Sequence, residues 1–180
     1  MSLRRHQIVI IFFAISIFLI TFASSFIFQR IDQRKPPEQV PTQNQVIKIF
    51  FSNALEDPET LYCEQTHFVY REVFRLSDGT KSELGELLYL AIAELLKGPV
   101  GAEKEEGFFT SINPDTKVNG IVLGEGVARI DFDENLNEGA AGSCKVQAIR
   151  SQITETLKQF PEVKEVVISV NGSSEGILEP

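Results

Sequence analysis

Residues Ile8 to Phe28 contain no charged side chain and are almost entirely Ile, Phe, Leu, Val and Ala. A helix of these 21 residues would be about 30 Å long, the thickness of a bilayer's hydrocarbon core. A soluble helix of that length shows a polar face, and this stretch has none. The run therefore predicts a single transmembrane anchor over 8–28, behind a short tail over 1–7. Ala23-Ser24-Ser25 also reads as a small-residue cleavage site, but the apolar run continues through Phe26-Ile27-Phe28, which favours an anchor that stays in place. Arg4 and Arg5 flank one end, and Arg30, Arg34 and Lys35 the other, so flanking charge alone does not orient the span. Its N-terminal position, as in a signal anchor, sets the expectation: N-terminus in the cytoplasm, residues 29–180 outside, a single-pass protein of the cell membrane. No cysteine follows the run closely, which argues against a lipid anchor.

Charge divides the chain at the same place. Residues 1–45 carry five basic and two acidic side chains, whereas residues 46–180 carry 12 basic and 23 acidic, a net charge of −11. An acidic domain of that kind does not hold nucleic acid or an anionic lipid surface by charge. Residues 29–45 contain Pro36, Pro37 and Pro41 among glutamines and follow neither a helical nor a strand period, so they predict a linker. A domain over 46–172 follows, long enough to bury its own core, and then a tail over 173–180.

Within the domain the periodicities are clear. Val46 to Phe51 alternates as a strand, with Ile47, Ile49 and Phe51 on one face. His67 to Phe74 is a second strand, but Phe68/Tyr70/Phe74 and Val69/Val73 compete for its buried face. Ser77-Asp78-Gly79 reads as a turn. Thr80 and Glu83 fit a capping box ahead of Leu84, Leu87, Leu88, Ala91, Ile92 and Leu95 at helical spacing, and Lys97-Gly98-Pro99 ends that helix. Residues 102–106 suggest one helical turn, with Phe108-Phe109 returning to the core. Lys117–Leu123 and Val127–Phe132 form a hairpin through Gly124-Glu125-Gly126. Ser143 is placed as the N-cap of a helix carrying Ile149, Ile153, Thr156, Leu157 and Phe160, and Pro161 turns the chain into a last strand, Val163–Val170. This order predicts a two-layer α+β domain with a small mixed β-sheet and two main helices, preceded by one transmembrane helix.

Few residues invite chemistry. Asp131, Asp133, Asn135 and Asn137 imitate the start of a calcium loop, but the sixth and twelfth positions hold Leu136 and Gly142 where an EF-hand needs Gly and Glu. His67, alone outside the N-terminal tail, lacks a partner at metal-ligand spacing. Glu103, Glu105 and Glu106 are candidates for half of a glycosidase carboxylate pair, although a run of charge on a loop is usually a solvated face. Gly124-x-Gly126 precedes no phosphate-binding helix. No catalytic, cofactor-binding or metal-binding residue is assigned.

Several short motifs occur in order: Leu96-Lys-Gly-Pro99, Glu106-Gly-Phe-Phe-Thr-Ser111, Gly126-Val-Ala-Arg-Ile-Asp-Phe132, Thr156-Leu-Lys-Gln-Phe-Pro161, and Val163-x-x-Val166-x-Ile168-x-Val170-x-Gly172. Together they resemble the GerMN domain family, known from GerM-like spore germination and sporulation proteins and from other bacterial envelope proteins. The resemblance covers about residues 46–172. It implies a membrane-tethered, extracytoplasmic, non-catalytic module that meets an envelope protein or cell-wall partner, similar to ring-building modules and open to oligomer formation. The chain departs from GerM in carrying one copy of the domain and an apolar anchor in place of a lipid anchor.

The first functional reading is thus a membrane-anchored binding or assembly module of the cell envelope, without cofactor. The alternative is a cell-wall glycan hydrolase working through acidic residues. Cys63 and Cys144, the only cysteines, both follow the anchor, in a compartment where disulfides persist. One lies in a loop and the other begins a helix, so a Cys63–Cys144 disulfide is expected, with two unpaired thiols as the alternative.

Overall fold

The computed structural model describes residues 42–59, 61–76 and 83–179, together with 16–18 and 22. The chain divides into two units, residues 1–39 and 40–180. Nearly all of the expected anchor and linker, the turn over 77–79 and Thr80 of the capping box lie outside the described residues. Among those described, no helix is long and apolar enough to cross a membrane.

In the second unit the elements run β1 (Thr42–Asn53), β2 (His67–Leu76), α1 (Glu83–Leu96), α2 (Gly101–Glu105), β3 (Phe108–Phe109), β4 (Val118–Gly124), β5 (Val127–Phe132), a 3-10 turn (Glu134–Leu136), α3 (Ser143–Lys158) and β6 (Glu165–Val170). The α+β class holds, but the single mixed sheet is corrected to two three-stranded sheets, β2-β1-β3 and β4-β5-β6. The first is antiparallel. The second is mixed, because α3 carries the chain from β5 to a parallel β6.

Why the sheets do not merge is visible at β1. One edge of β1 pairs with β2 along ten residues, while the other pairs with β3 only at Ser52 and Asn53. The rest of that second edge meets α3. Thr156 Oγ1 accepts the Phe50 N–H at 3.1 Å, Gln159 Oε1 accepts the Lys48 N–H at 2.8 Å, and Gln159 Nε2 donates to the Lys48 carbonyl at 2.6 Å. Gln152, fully buried, donates to Ser52 Oγ at 2.9 Å and accepts from Thr110. Side chains thus take the hydrogen bonds that a further strand would have made.

Around that seam the apolar faces close into one core. Ile47, Ile49 and Phe51 of β1, Leu88, Ile92 and Leu95 of α1, Ile130 and Phe132 of β5, and Ile149, Ile153 and Leu157 of α3 are all nearly inaccessible to water. Burying each such side chain contributes about 1.5–3 kcal/mol. α1 stops where expected, with Gly98 at φ 71° donating its N–H to the Leu95 carbonyl. At the start of α3 the reading shifts by one residue. Gly142, at φ 95°, is the N-cap, and Ser143 is already helical without a capping hydrogen bond. The β4–β5 hairpin turns on Glu125 and Gly126, at φ 53° and 81°, the left-handed pair a two-residue turn requires.

Because Thr156 is wholly buried against a backbone N–H, Thr156→Val removes an acceptor without changing shape. Urea unfolding of a protein spanning residues 40–180 is expected to show a loss of about 1–3 kcal/mol, and Thr156→Ser should keep most of it. A neutral Thr156→Val would show that the edge bond contributes nothing.

Candidate interaction surface

The loop after β1 is built on two polar side chains. Asn53 Oδ1 accepts the N–H groups of Leu55 and Glu56, and its Nδ2 donates to the Glu106 carbonyl at 3.0 Å. The Asp57 carboxylate accepts from Leu61 and Tyr62 N–H at 3.0 and 2.9 Å. Gly107 has to be glycine here, since at φ 88° a Cβ would lie 2.8 Å from Asn53 Oδ1 and 2.7 Å from Leu55 Cγ. The loop so shaped brings Cys63 to the first turn of α3, where it is bonded to Cys144 with 5.0 Å between Cα atoms. The bridge walls a pocket of about 290 Å³ that also meets Tyr62, His67, Phe109 and Lys145. His67 Nε2 is buried and has no hydrogen-bond partner among the described residues.

The acidic positions serve local structure. Asp131 Oδ1 accepts from Ser169 Oγ and Gly172 N–H, both at 2.7 Å, and Oδ2 from Asn119 Nδ2 at 2.9 Å. The Ser169 hydroxyl first, then Asn119 and Gly172, hold its carboxyl below the usual range. Asp133 accepts from Lys117 N–H and Asn135 Nδ2, and Glu134, lowered mainly by the amide of Asn171, closes the same network. Leu136, at the point where a calcium loop needs glycine, is buried in the core. Among the described residues no group of three or more His, Cys, Asp or Glu side chains is placed to hold a metal ion.

Of the three glutamates over 103–106, Glu103 is the one held in place. It forms a two-pronged ion pair with Arg71 of β2, whose Nη2 lies 2.6 Å from Oε2, and it also accepts the Val100 N–H at 2.8 Å. The Arg71 hydrogen bond, more than any other cause, lowers the Glu103 carboxyl, and the same bond raises Arg71. A glycosidase general acid needs a carboxyl pushed the other way.

What sequence reasoning left undecided becomes the most distinctive surface. β2 buries Val69, Val73 and Arg75, half-buries Arg71 on the same face, and turns Phe68, Tyr70 and Phe74 outward. Opposite them on β1 stand Phe50, Lys48 and Asn44 in register, with Val46 beside them facing Glu72. Tyr70 and Phe74 are each 63% exposed and Val46 56%. Phe68 packs against Phe50 and Tyr70 with ring centroids 5.7 and 5.4 Å apart, and Lys48 Nζ sits 4.4 Å above the Phe68 ring. The result is an aromatic sheet face in water, a feature of interaction sites. The two inward arginines hid it, because by hydropathy alone the aromatic face competes for the interior.

The family model described as "Germane: Sporulation and spore germination" matches residues 48–176. The spore germination protein GerM of Bacillus subtilis (strain 168) is 34% identical over 92 residues, covering 49% of this chain, and the chain spans only 24% of that relative's length. Similar solved structures include the tandem GerMN domains of the B. subtilis sporulation protein GerM (24% identity, TM-score 0.46, covering 79% of this chain and 44% of that one). Another is a lipoprotein from Clostridium perfringens described as putative in its own structure (13% identity, TM-score 0.46, covering 77% and 81%).

Two measurements follow from this geometry. The bridge closes a loop with a sequence separation of 81 residues, for which chain entropy gives ~4.5 kcal/mol. Reduction should therefore lower the melting temperature by several degrees and expose two alkylatable thiols, whereas an unchanged melting curve would show that the bridge does not constrain the unfolded chain. Because the folded-state Glu103 carboxyl is depressed, the stability it contributes is full above the ordinary glutamate range and is lost as pH falls through its lowered value. Glu103→Gln should cost about 2 kcal/mol at neutral pH and flatten the acid limb of the stability–pH curve. An unaltered acid limb would refute the coupling to Arg71.

Proposed function

The chain belongs to the sporulation and spore germination (Germane) family, and on that premise we propose that it is a membrane-anchored binding or assembly module on the outer side of a bacterial cell membrane, acting without catalysis. One observation carries this reading: the exposed aromatic face of the β1–β2 ribbon, made of Val46, Phe68, Tyr70 and Phe74, with Phe68 packed on Phe50 across the strands and on Tyr70 beside it. A soluble domain keeps such a face only where a partner covers it. The apolar run over 8–28 and the proline-containing stretch after it support tethering, with the domain held a short distance from the bilayer. Support for a non-catalytic role comes from the carboxyls whose shifts are resolved, Glu103, Asp131 and Glu134, all of which move toward the ionised form through structural hydrogen bonds. The partner is an envelope protein or the cell wall itself, met by the aromatic face.

A photo-crosslinking residue placed at Tyr70 in the cell tests surface and topology together. It is expected to give a discrete adduct that the same residue at exposed Glu138 does not give, and protease added to intact spheroplasts should digest that adduct. Identical adducts from both positions would sink the assigned surface. An adduct protected from external protease would sink the topology.

A further inference from the structure

The sheet β4-β5-β6 ends at β4, whose outer edge has no strand partner among the described residues. The hairpin decides which groups lie on that edge. Gly124 pairs with Val127 across the two-residue turn, so by the alternation of an antiparallel ladder Gly124, Val122 and Gly120 bond to β5, and Ile121 and Leu123 direct N–H and C=O outward. A groove of about 540 Å³ runs beside them, bounded by Gly85, Glu86 and Tyr89 of α1 and by β4 residues 119–123. Those five consecutive strand residues point to both faces of the sheet, so the groove follows the edge and does not cover a face. The register shifts at Asn119, which folds its amide back onto Asp131 and the Phe132 carbonyl, so the open edge is confined to residues 120–124.

Gly120 is the second observation. Glycine weakens a strand interior and marks either a bulge or a place where another backbone comes close. Gly120 follows the register shift at Asn119, and a Cβ there would meet nothing within 4 Å, so the strand is open on that side.

We propose that this groove is a strand-addition site for an extended segment of a partner protein carrying a basic residue two positions from an apolar one. The main chain of the added strand would bond Ile121 and Leu123, and alternate side chains would turn toward α1. There they meet the Glu86 carboxylate and the Tyr89 ring, which is 48% exposed. Charge selects this occupant over a second copy of the chain. Residues 46–180 carry a net charge of −11, so self-pairing would bring like charge to like, whereas a Lys or Arg is attracted. The surface is distinct from the β1–β2 face, and either can fail without the other.

The test uses the detergent-solubilised full chain and three capped peptides, with amide exchange of the β4 segment read by mass spectrometry. The first peptide is Thr-Lys-Thr-Val-Thr, the second replaces Lys by Glu, and the third keeps the first sequence with alternate amides N-methylated. The Lys peptide at millimolar concentration should slow exchange of the segment holding Ile121 and Leu123 by about threefold, the factor for a ligand at about twice its Kd. The Glu peptide should slow it less and the N-methylated one not at all. In Tyr89→Lys, whose melting temperature should be unchanged, the Lys peptide should lose its effect. No slowing by the Lys peptide, or equal slowing by the N-methylated one, overturns strand addition. Equal or greater slowing by the Glu peptide overturns the basic specification.

Discussion

The arrangement depends on how α3 meets the open edge of β1. β1 is the strand on which both main helices and two other strands converge, and beyond Ser52 and Asn53 its second edge has no strand partner among the described residues. A backbone N–H buried there without an acceptor would cost about 1–3 kcal/mol. α3 answers with a polar row, Gln152, Thr156 and Gln159, set beside the apolar row Ile149, Ile153 and Leu157. Apolar contact alone would let a helix slide along a strand. Named hydrogen bonds to Lys48, Phe50 and Ser52 fix its register. With that register set, the first turn of α3 brings Cys144 to Cys63, and the helix end delivers the chain to a β6 parallel to β5.

Several of the domain's carboxylates hold local structure together. Asp57 orders two loop amides, Asp131 gathers donors from β6, β4 and the turn after β6, and Glu103 fastens α2 to β2 through Arg71. Each carboxylate sits where backbone N–H groups or a guanidinium would otherwise lack an acceptor. This explains why the resolved carboxyl shifts run downward and why the calcium-like spacing over 131–137 closes on the protein itself.

Periodicity made most of the burial pattern legible. The inward sets Ile47/Ile49/Phe51 and Ala128/Ile130/Phe132, the α1 stripe and its Gly98 stop follow from spacing. Three features did not. The count of sheets depended on who bonds the edge of β1, which rests on Thr156 and Gln159 acting at long range in sequence. The buried face of β2 was ambiguous because Arg71 and Arg75 share it with Val69 and Val73, and an arginine turns inward only when a distant acid such as Glu103 waits there. The N-cap moved from Ser143 to Gly142, whose backbone at φ 95° suits glycine.

That same arginine placement links the interior to the surface. With Arg71 and Arg75 turned in, strand alternation leaves Phe68, Tyr70 and Phe74 no direction but outward. A sheet that hid its aromatics would have to expose the arginines and lose the pair that holds α2. The chain instead keeps charge inside, paired, and aromatic area outside, braced by Lys48 over Phe68 and bordered by Glu72 opposite Val46. Such an inversion costs solubility in an isolated domain. The exposed face is therefore a consequence of the ion pair beneath it, and the two belong to one arrangement.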